Sequence, residues 1–401
     1  MNLRLPNPFT DTTVQDWSLS ARLLRWLTFL WLFVGVLLLF SASYAVADAE
    51  FHDGLYYVKR QVIWIVVGLV GFNVVVTLPM RRLIAIAHWG LLICFGLTLI
   101  TLIPGMGTTV NGATRWLHLG FLPLQPSELI KPFLVLQAAY VFGQWHRLSW
   151  AVRSTWLAIF TGILTAILLQ PNLSTATLCG LLLWLVALAA GLPYWQLFST
   201  AGVGGIMLAL SLGTREYQRR RILSFWNPWA DAQGDGYQLV QSLLAVGSGK
   251  LFGVGFGNSQ QKLIYLPIQH TDFIFAVFAE EFGFVGCCLL LLFLAAYSTI
   301  GLWVALRAKL LVLRLVAIGS VTILISQAIL NIGVATGVLP TTGLPLPMVS
   351  YGGSSMISSL IIAGLLVRVA REGSGATVTP LVPAGKVVSK KRPVPQQPIV
   401  E

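Results

Sequence analysis

The chain has 401 residues, of which 56% are hydrophobic and only 10% are charged, and its formal net charge is +12. A soluble globular domain carries about 25% charged residues, so this composition excludes a soluble fold. It predicts an all-α integral membrane protein with several spans, because each crossing of the bilayer needs about 20 apolar residues of helix.

Apolar runs of that length recur along the chain and predict ten transmembrane helices. The eighth run is longer than one crossing needs, so its first turns can lie at a surface or line a cavity. The expected ranges are 26–47, 61–79, 83–104, 128–144, 154–171, 174–191, 195–213, 272–306, 310–336 and 345–367.

The basic residues predict the orientation of these helices. If the N-terminus is cytoplasmic, most of the 26 Lys and Arg residues fall in cytoplasmic segments. The short segments on the outer side then hold only Lys59, Arg60, Arg115 and Lys131. Positive charge in short loops favours the cytoplasmic side of the membrane. We therefore expect both termini in the cytoplasm and a large extracytoplasmic loop over 214–271, between helices 7 and 8.

The predicted organisation has three parts. Residues 1–22 form a cytoplasmic N-terminal segment, residues 23–371 form the ten-span domain, and residues 372–401 form a cytoplasmic tail. The tail is rich in Gly, Pro, Val and Lys without a helical period, which predicts disorder. The positive net charge follows from the loop bias and suits anionic lipid headgroups, and it does not indicate a nucleic-acid partner.

Carboxylates are scarce between residues 54 and 371, and all of them fall on the predicted outer side. Asp272 is the strongest candidate, because it lies where a polar loop re-enters an apolar helix. A general base must be ionised, which a helix N-terminus favours and burial opposes. A helix cap is the alternative for Asp272. The full set is Glu128, Glu216, Asp231, Asp235, Asp272, Glu280 and Glu281.

Glu128 and Lys131 are spaced i and i+3, which places both on one face of the fourth helix. A buried ion pair is weak evidence for stability. A structural pair and a substrate-binding pair therefore both remain open for these residues.

The outer basic residues indicate an anionic ligand. Arginine forks match phosphate oxygens, and Trp226 and Trp229 suit a membrane interface. No nucleotide-binding fingerprint is present. The pattern predicts an outward-facing site for a lipid-linked anionic substrate, but it does not decide between transport and reaction. The basic candidates are Arg115, Arg219, Arg220, Arg221 and Lys262.

The chain resembles the SEDS family (shape, elongation, division and sporulation proteins) over roughly residues 20–370. The blocks that carry the resemblance are 112–117 with 125–131, 224–229 with 236–238, 255–283 with its His270-Thr271-Asp272-Phe273 motif, and 343–355, which contains Ser350 and Tyr351.

The resemblance implies a peptidoglycan glycosyltransferase that polymerises lipid II outside the cytoplasmic membrane. It implies that Asp272 is catalytic, and that Glu128, Lys131, Ser350 and Tyr351 belong with the basic residues to the substrate-binding set. One position departs from the family, which usually has Gln-Pro-Asp after the fifth span, whereas this chain has Asn172. A metal-binding or charge-pairing role at that position is therefore in doubt.

The family also implies partners and a location. The expected partners are lipid II, an undecaprenyl diphosphate-linked glycan, a class B penicillin-binding protein and other division proteins, and a divalent cation (Mg or Mn) is an open possibility. The run from Phe225 to Trp229 favours the cell-division members, at the septum of the bacterial inner membrane. The alternatives are an elongation polymerase, a lipid II flippase and a non-catalytic scaffold.

Overall fold

The computed structural model describes residues 17–110, 113–119, 122–214, 216–263 and 266–375. This part of the chain is mainly helical, with one small antiparallel sheet in the strand order β1-β2-β3. The helices are α1 (Leu19–Phe51), α2 (Tyr56–Thr77), α3 (Met80–Ile100), α4 (Pro126–Gly143), α5 (Trp150–Leu169), α6 (Leu173–Ala189), α7 (Tyr194–Thr214), α8 (Glu216–Trp226), α9 (Tyr237–Ser248), α10 (Ile274–Arg307), α11 (Leu311–Ala335) and α12 (Gly353–Gly375), and the strands are β1 (Thr108–Val110), β2 (Ala113–Leu119) and β3 (Leu122–Leu124).

The prediction of an all-α membrane protein is confirmed. Within the described ranges, eight helices are long and apolar enough to cross a membrane, namely α1, α2, α3, α5, α7, α10, α11 and α12. Helix α6 is apolar but shorter. Helix α4 matches the fourth predicted span and carries a buried ion pair. The count of ten crossings stays a prediction.

Helix α12 lies at the centre of the bundle, against α1, α2, α4 and α11. Small residues allow the close approach of α2, because a Cβ atom at Gly68 would lie 2.6 Å from Leu360 Cδ1. The mostly apolar helix α2 also carries Gln61, which hydrogen-bonds the segment just before α12.

Helix α10 is interrupted at Gly283, whose φ of 65° and ψ of −165° are not helical. An interruption at membrane depth frees backbone groups that lipid cannot satisfy. Residues 250–255 satisfy them, with four N–H···O bonds of 2.9–3.0 Å that join Val254 to Glu280, Gly255 to Glu281, Phe284 to Lys250, and Val285 to Leu251. The long eighth run therefore forms two helical pieces, and both are hydrogen-bonded to the preceding loop.

Several predicted boundaries differ from the structure. The loop over 214–271 contains helices α8 and α9, and α9 packs on α10 and α11. The tenth helix begins at Gly353 and not at residue 345, because Pro345 and Pro347 lack the N–H groups that a helix needs. Helix α1 begins at Leu19 after a Ser18 cap, so it includes part of the predicted N-terminal segment.

The chain termini are only partly covered by the structure. Helix α12 extends to Gly375, four residues beyond the predicted end of the membrane domain at residue 371. Residues 1–16 and 376–401, which make up most of the predicted N-terminal segment and of the predicted tail, lie outside the described residues.

Candidate functional site

Asp272 lies in the turn immediately before α10, and its backbone is held by α11. The Nδ2 atom of Asn331 donates to the carbonyl oxygens of both Asp272 and Leu344, at 2.8 Å each. The residue that caps α10 is Phe273, and the helix N-terminus receives no side-chain hydrogen bond. The helix-cap alternative for Asp272 is therefore wrong.

The charge state of Asp272 reflects opposing influences. Burial raises the pKa of its carboxyl group above the usual aspartate value, while the guanidinium groups of Arg221 and Arg115, in that order of effect, and a hydrogen bond with Thr271 lower it. Burial is the larger effect. A carboxylate with a raised pKa is a stronger base than an ordinary aspartate, and the two arginines keep it partly stabilised in its ionised form.

Arg115 and Arg221 reach this site from two different elements. Arg115 lies on β2, and its guanidinium donates to the carbonyl oxygens of Gln170, at 3.2 Å, and of Pro171. Arg221 lies on α8, and its Nη1 donates to the carbonyl oxygen of Thr341 at 3.2 Å. Both side chains are partly buried, so each guanidinium is anchored by backbone carbonyls while its charge acts on Asp272.

Ser350 fixes the turn beside Asp272. Its hydroxyl donates to the carbonyl oxygen of Thr271 at 2.5 Å and accepts from the N–H of Leu346 at 2.8 Å. The side-chain amide of Gln61 brackets the same turn, because it donates to Ser350 O and accepts from Gly352 N, at 3.2 Å each. Since the Ser350 hydroxyl already makes two hydrogen bonds within the protein, the geometry favours a role in holding this turn over direct binding of substrate.

Tyr351 belongs to an aromatic group beside the same turn. Its N–H donates to the carbonyl oxygen of His270 at 2.9 Å, and its ring lies edge-on to Tyr57 at 5.0 Å. The rings of Tyr57 and His270 are 4.3 Å apart. Burial lowers the pKa of His270 to about 4, so this imidazole is neutral at pH 7 and adds no charge next to Asp272.

Glu128 and Lys131 form an ion pair inside the bundle and not at a surface. Lys131 Nζ lies 2.6 Å from Glu128 Oε1, and the side chains are only 1% and 3% exposed. The third partner of the pair is Gln327 on α11, whose Oε1 accepts from Lys131 at 2.9 Å. Direct contact of these two charges with a substrate finds no support in this geometry.

Lys262 is placed in a second buried ion pair. Its Nζ lies 2.6 Å from Glu281 Oε1 and 2.8 Å from the hydroxyl of Ser41, which itself donates to Glu281 at 2.5 Å. Glu280 accepts from the hydroxyl of Ser259 and from the N–H groups that follow it. Lys262 therefore joins α1 to α10, and the structure does not bring it to Asp272.

The three consecutive arginines have different surroundings. Arg220 is exposed and pairs with Glu216 on its own helix at 2.6 Å, and Arg219 is exposed as well. Arg221 is the member whose charge acts on Asp272.

The side chains around Asp272 do not make a preformed cation site. Within the described ranges, no group of three or more His, Cys, Asp and Glu side chains is placed to hold a metal ion. The groups that act on Asp272 are two guanidiniums, which repel a cation. The divalent cation stays a prediction.

The sequence reasoning missed the side-chain amides Gln61, Gln327 and Asn331. Each lies in a long apolar helix and is almost completely buried. The available signal was the presence of uncharged polar residues in otherwise apolar spans, at i and i+4 for Gln327 and Asn331.

Comparison with known proteins identifies the family. The family model for FtsW, RodA and SpoVE, described as "Cell cycle protein", matches residues 21–375. The chain therefore belongs to the FtsW/RodA/SpoVE family, which is the SEDS family indicated by the sequence motifs.

Individual relatives agree with this assignment. The chain is 55% identical to "Probable peptidoglycan glycosyltransferase FtsW" of Synechocystis sp., over 94% of this chain and 96% of that protein. It is 35% identical to stage V sporulation protein E of Bacillus subtilis, over 86% and 95% of the two chains.

Two solved structures have the same fold. The rod shape determining protein RodA of Thermus thermophilus is 29% identical, with a TM-score of 0.65 over 88% of this chain and 97% of that one. A chain of a peptidoglycan synthase complex, described for its coordination of polymerization and crosslinking, is 28% identical, with a TM-score of 0.71 over 88% and 98%.

Proposed function

We propose that this protein is a peptidoglycan glycosyltransferase that polymerises lipid II into glycan strands. The observation that carries the proposal is Asp272, a partly buried carboxylate with a raised pKa beside two anchored guanidiniums. This combination provides a general base together with fixed positive charge, which is what transfer of a sugar from a diphosphate requires.

The proposed reaction is glycosyl transfer with inversion. The donor is the growing glycan on undecaprenyl diphosphate, and the acceptor is lipid II. Asp272 takes the proton from the acceptor 4-hydroxyl as that oxygen attacks the anomeric carbon of the donor. The bond from that carbon to the diphosphate breaks, and the diphosphate leaves with the bonding electrons. Arg115 and Arg221 stabilise its negative charge.

The direct test is polymerisation of fluorescently labelled lipid II by the purified protein, alone and with a class B penicillin-binding protein. We expect long glycan strands on a gel, and no strands from Asp272→Asn. A lipid II flippase would instead move the labelled lipid across a vesicle bilayer without forming strands, and that outcome would overturn the proposal.

The cellular role that we propose is septal wall synthesis with a transpeptidase partner. The 55% identity to a protein named FtsW and the fold shared with a peptidoglycan synthase component support this role. Depletion of the protein should block division and give filaments. Loss of rod shape with continued division would favour the elongation alternative.

The orientation is part of the same proposal, because wall synthesis takes place outside the cytoplasmic membrane. In a background without the four native cysteines, a cysteine at Gln233 should react with an impermeant thiol reagent in intact spheroplasts. A cysteine at Gln396 should react only after lysis. The reverse pattern would place Asp272 on the wrong side of the membrane.

A further inference from the structure

Two amides on α11 connect the buried ion pair of α4 to the turn of Asp272. Gln327 Oε1 accepts from Lys131 at 2.9 Å, and Gln327 Nε2 donates to the carbonyl oxygen of Pro345 at 2.8 Å. One helical turn later, Asn331 Nδ2 donates to Leu344 O and to Asp272 O, at 2.8 Å each. Both amides are nearly inaccessible, with exposures of 2% and 1%.

Residues 341–346, which we call the clamp segment, lie against Asp272 and are held by hydrogen bonds from side chains. Proline at 345 and 347 prevents regular backbone pairing, so its buried carbonyl groups need side-chain donors. Four side chains of three helices, α6, α8 and α11, supply them. The donors are Arg221 to Thr341 O, Ser174 to Thr342 O, Asn331 to Leu344 O and Gln327 to Pro345 O.

The clamp segment approaches the carboxylate itself at Gly343. This residue has a φ of +69°, and a Cβ atom built on it would lie 3.4 Å from Asp272 Oδ2. A small displacement of the clamp segment would therefore move or crowd the carboxylate. Asn331 holds both sides of this contact, because it binds the carbonyl after Gly343 and the carbonyl of Asp272.

The Lys131 ammonium determines which way the Gln327 amide points. An ammonium group can only donate hydrogen bonds, so the Gln327 oxygen must face Lys131 and the nitrogen is left for Pro345 O. Glu128 keeps the buried ammonium compensated. Without Lys131 the amide loses the contact that selects this orientation.

Asn331 is held in an orientation with a cost. Its Nδ2 serves two carbonyls, and its buried Oδ1 has no hydrogen-bond partner among the described residues. A buried acceptor without a partner destabilises the folded protein, because it loses its hydrogen bonds with water. That cost is unnecessary for packing alone, whereas it is understandable for a residue that must present N–H groups to Asp272 and to the clamp segment.

We propose that Gln327 and Asn331 are positioning residues for Asp272, and that the Glu128–Lys131 pair acts on the reaction through Gln327 and not by touching substrate. This inference rests on the proposed polymerase function. It assigns the pair a place in the site without requiring that either charge be exposed.

The first test is Gln327→Leu and Asn331→Leu in the purified full-length protein, with polymerisation measured per folded molecule. A displacement of about 1 Å costs about 100-fold in rate. We expect kcat to fall about 10- to 100-fold with KM nearly unchanged. The matched control is Ser320→Ala, which removes a buried hydroxyl of α11 whose partner among the described residues is Val316 O of the same helix, and its kcat should not change.

A second readout separates positioning from mere stability. The groups whose charges act on Asp272 are Arg115 of β2 and Arg221 of α8, whereas Asn331 of α11 and His270 are neutral there. Asn331→Leu should shift the acid limb of kcat/KM, because a displaced Asp272 changes both its burial and its distance from the two guanidiniums. Activity lost only in proportion to unfolded protein, with an unchanged pH profile, would overturn the proposal.

A double-mutant cycle tests the link to the ion pair. Gln327→Leu should cost little further kcat in the Glu128→Gln/Lys131→Met background, because both changes break one chain of contacts. Fully additive losses would contradict the link. If Gln327→Leu prevents folding, Gln327→Glu is used in its place, because an ionised carboxylate cannot donate a hydrogen bond to Pro345 O. A Gln327→Glu protein with wild-type kcat at pH 8 would refute the proposal. A wild-type protein that makes no strands would instead refute the polymerase function itself.

Discussion

The two buried ion pairs in the described part of the chain have nearly the same local geometry but different connections. Lys131–Glu128 and Lys262–Glu281 both have N···O distances of 2.6 Å, and all four side chains are at most 6% exposed. The first pair reaches Asp272 through Gln327 and the clamp segment. The second pair forms hydrogen bonds with the Ser41 hydroxyl and joins α1 to α10 and to the loop before α10. The third partner of a buried pair, and not its distance or burial, indicates what the pair does.

The largest expected effect distinguishes the carboxylate of Asp272 from that of Glu281. Asp272→Asn should lower polymerisation by about 100- to 10,000-fold, which is the usual contribution of a general base, and should leave thermal stability unchanged. The matched change Glu281→Gln, combined with Lys262→Met, should leave activity within severalfold of wild type. Equal losses in both variants would mean that Asp272 has no special role.

The next effect concerns the pairs themselves. Lys131→Met and Lys262→Met should each cost about 3–5 kcal/mol of stability, because a buried carboxylate loses its partner. Adding Glu128→Gln or Glu281→Gln, respectively, should restore folding in both cases.

Activity should separate these two double variants. The Lys262 double variant should regain polymerisation, whereas the Lys131 double variant should remain impaired. Thermal unfolding and lipid II polymerisation measure the two properties, and recovery of both by the Lys131 double variant would make that pair structural.

A smaller effect tests which arginine acts on Asp272. Arg221→Gln should lower kcat/KM by about 10- to 100-fold, because it removes a charge-assisted contact. It should also move the acid limb of the pH profile to higher pH. The base must be ionised, and loss of a nearby positive charge raises the pKa of Asp272 further. Arg220→Gln, next to it but exposed and paired with Glu216, should leave the profile unchanged.

The smallest expected effect probes contact with the clamp segment. Gly343 and Gly337 both have a φ of +69°, so alanine at either position carries a similar backbone cost of about 1–2 kcal/mol. The new methyl group meets Asp272 Oδ2 at 3.4 Å in Gly343→Ala but a Leu243 methyl group in Gly337→Ala. Only Gly343→Ala should lower kcat beyond its effect on stability, by about tenfold. Equal rates per folded molecule would argue against a tight contact.

Most of the fold could be predicted because a membrane helix can be recognised from its local amino-acid composition. Apolar runs located every long helix, since a span must satisfy its own backbone groups whatever its neighbours are. The misjudged boundaries lie where this rule is relaxed by contacts distant in sequence. Gly283 interrupts α10 because residues 250–255 satisfy the freed backbone groups. The segment before α12 stays non-helical while Gln327 and Asn331 of α11 bind the carbonyl oxygens of Pro345 and Leu344.

The candidate site, like the fold, was predictable in part from the sequence and in part decided by contacts distant in sequence. Among the scarce carboxylates, position selected Asp272 in the sequence, because an ionised group is expensive to keep where a polar loop re-enters an apolar helix. Which charges meet it was decided by tertiary structure. Residue type and spacing gave Arg219, Arg220 and Arg221 equal standing, and the packing of α8 directs only Arg221 towards Asp272.

The sequence by itself determined that this is a helical membrane protein of the FtsW/RodA/SpoVE family and predicted Asp272 as its candidate base, since composition and ordered motifs are properties of the chain alone. Only the tertiary structure decided that Lys131 is connected to Asp272 and Lys262 is not. The physical reason is that a hydrogen bond depends on atoms within about 3 Å, and Gln327 and Pro345 are brought to that distance by the packing of α4, α11 and the clamp segment.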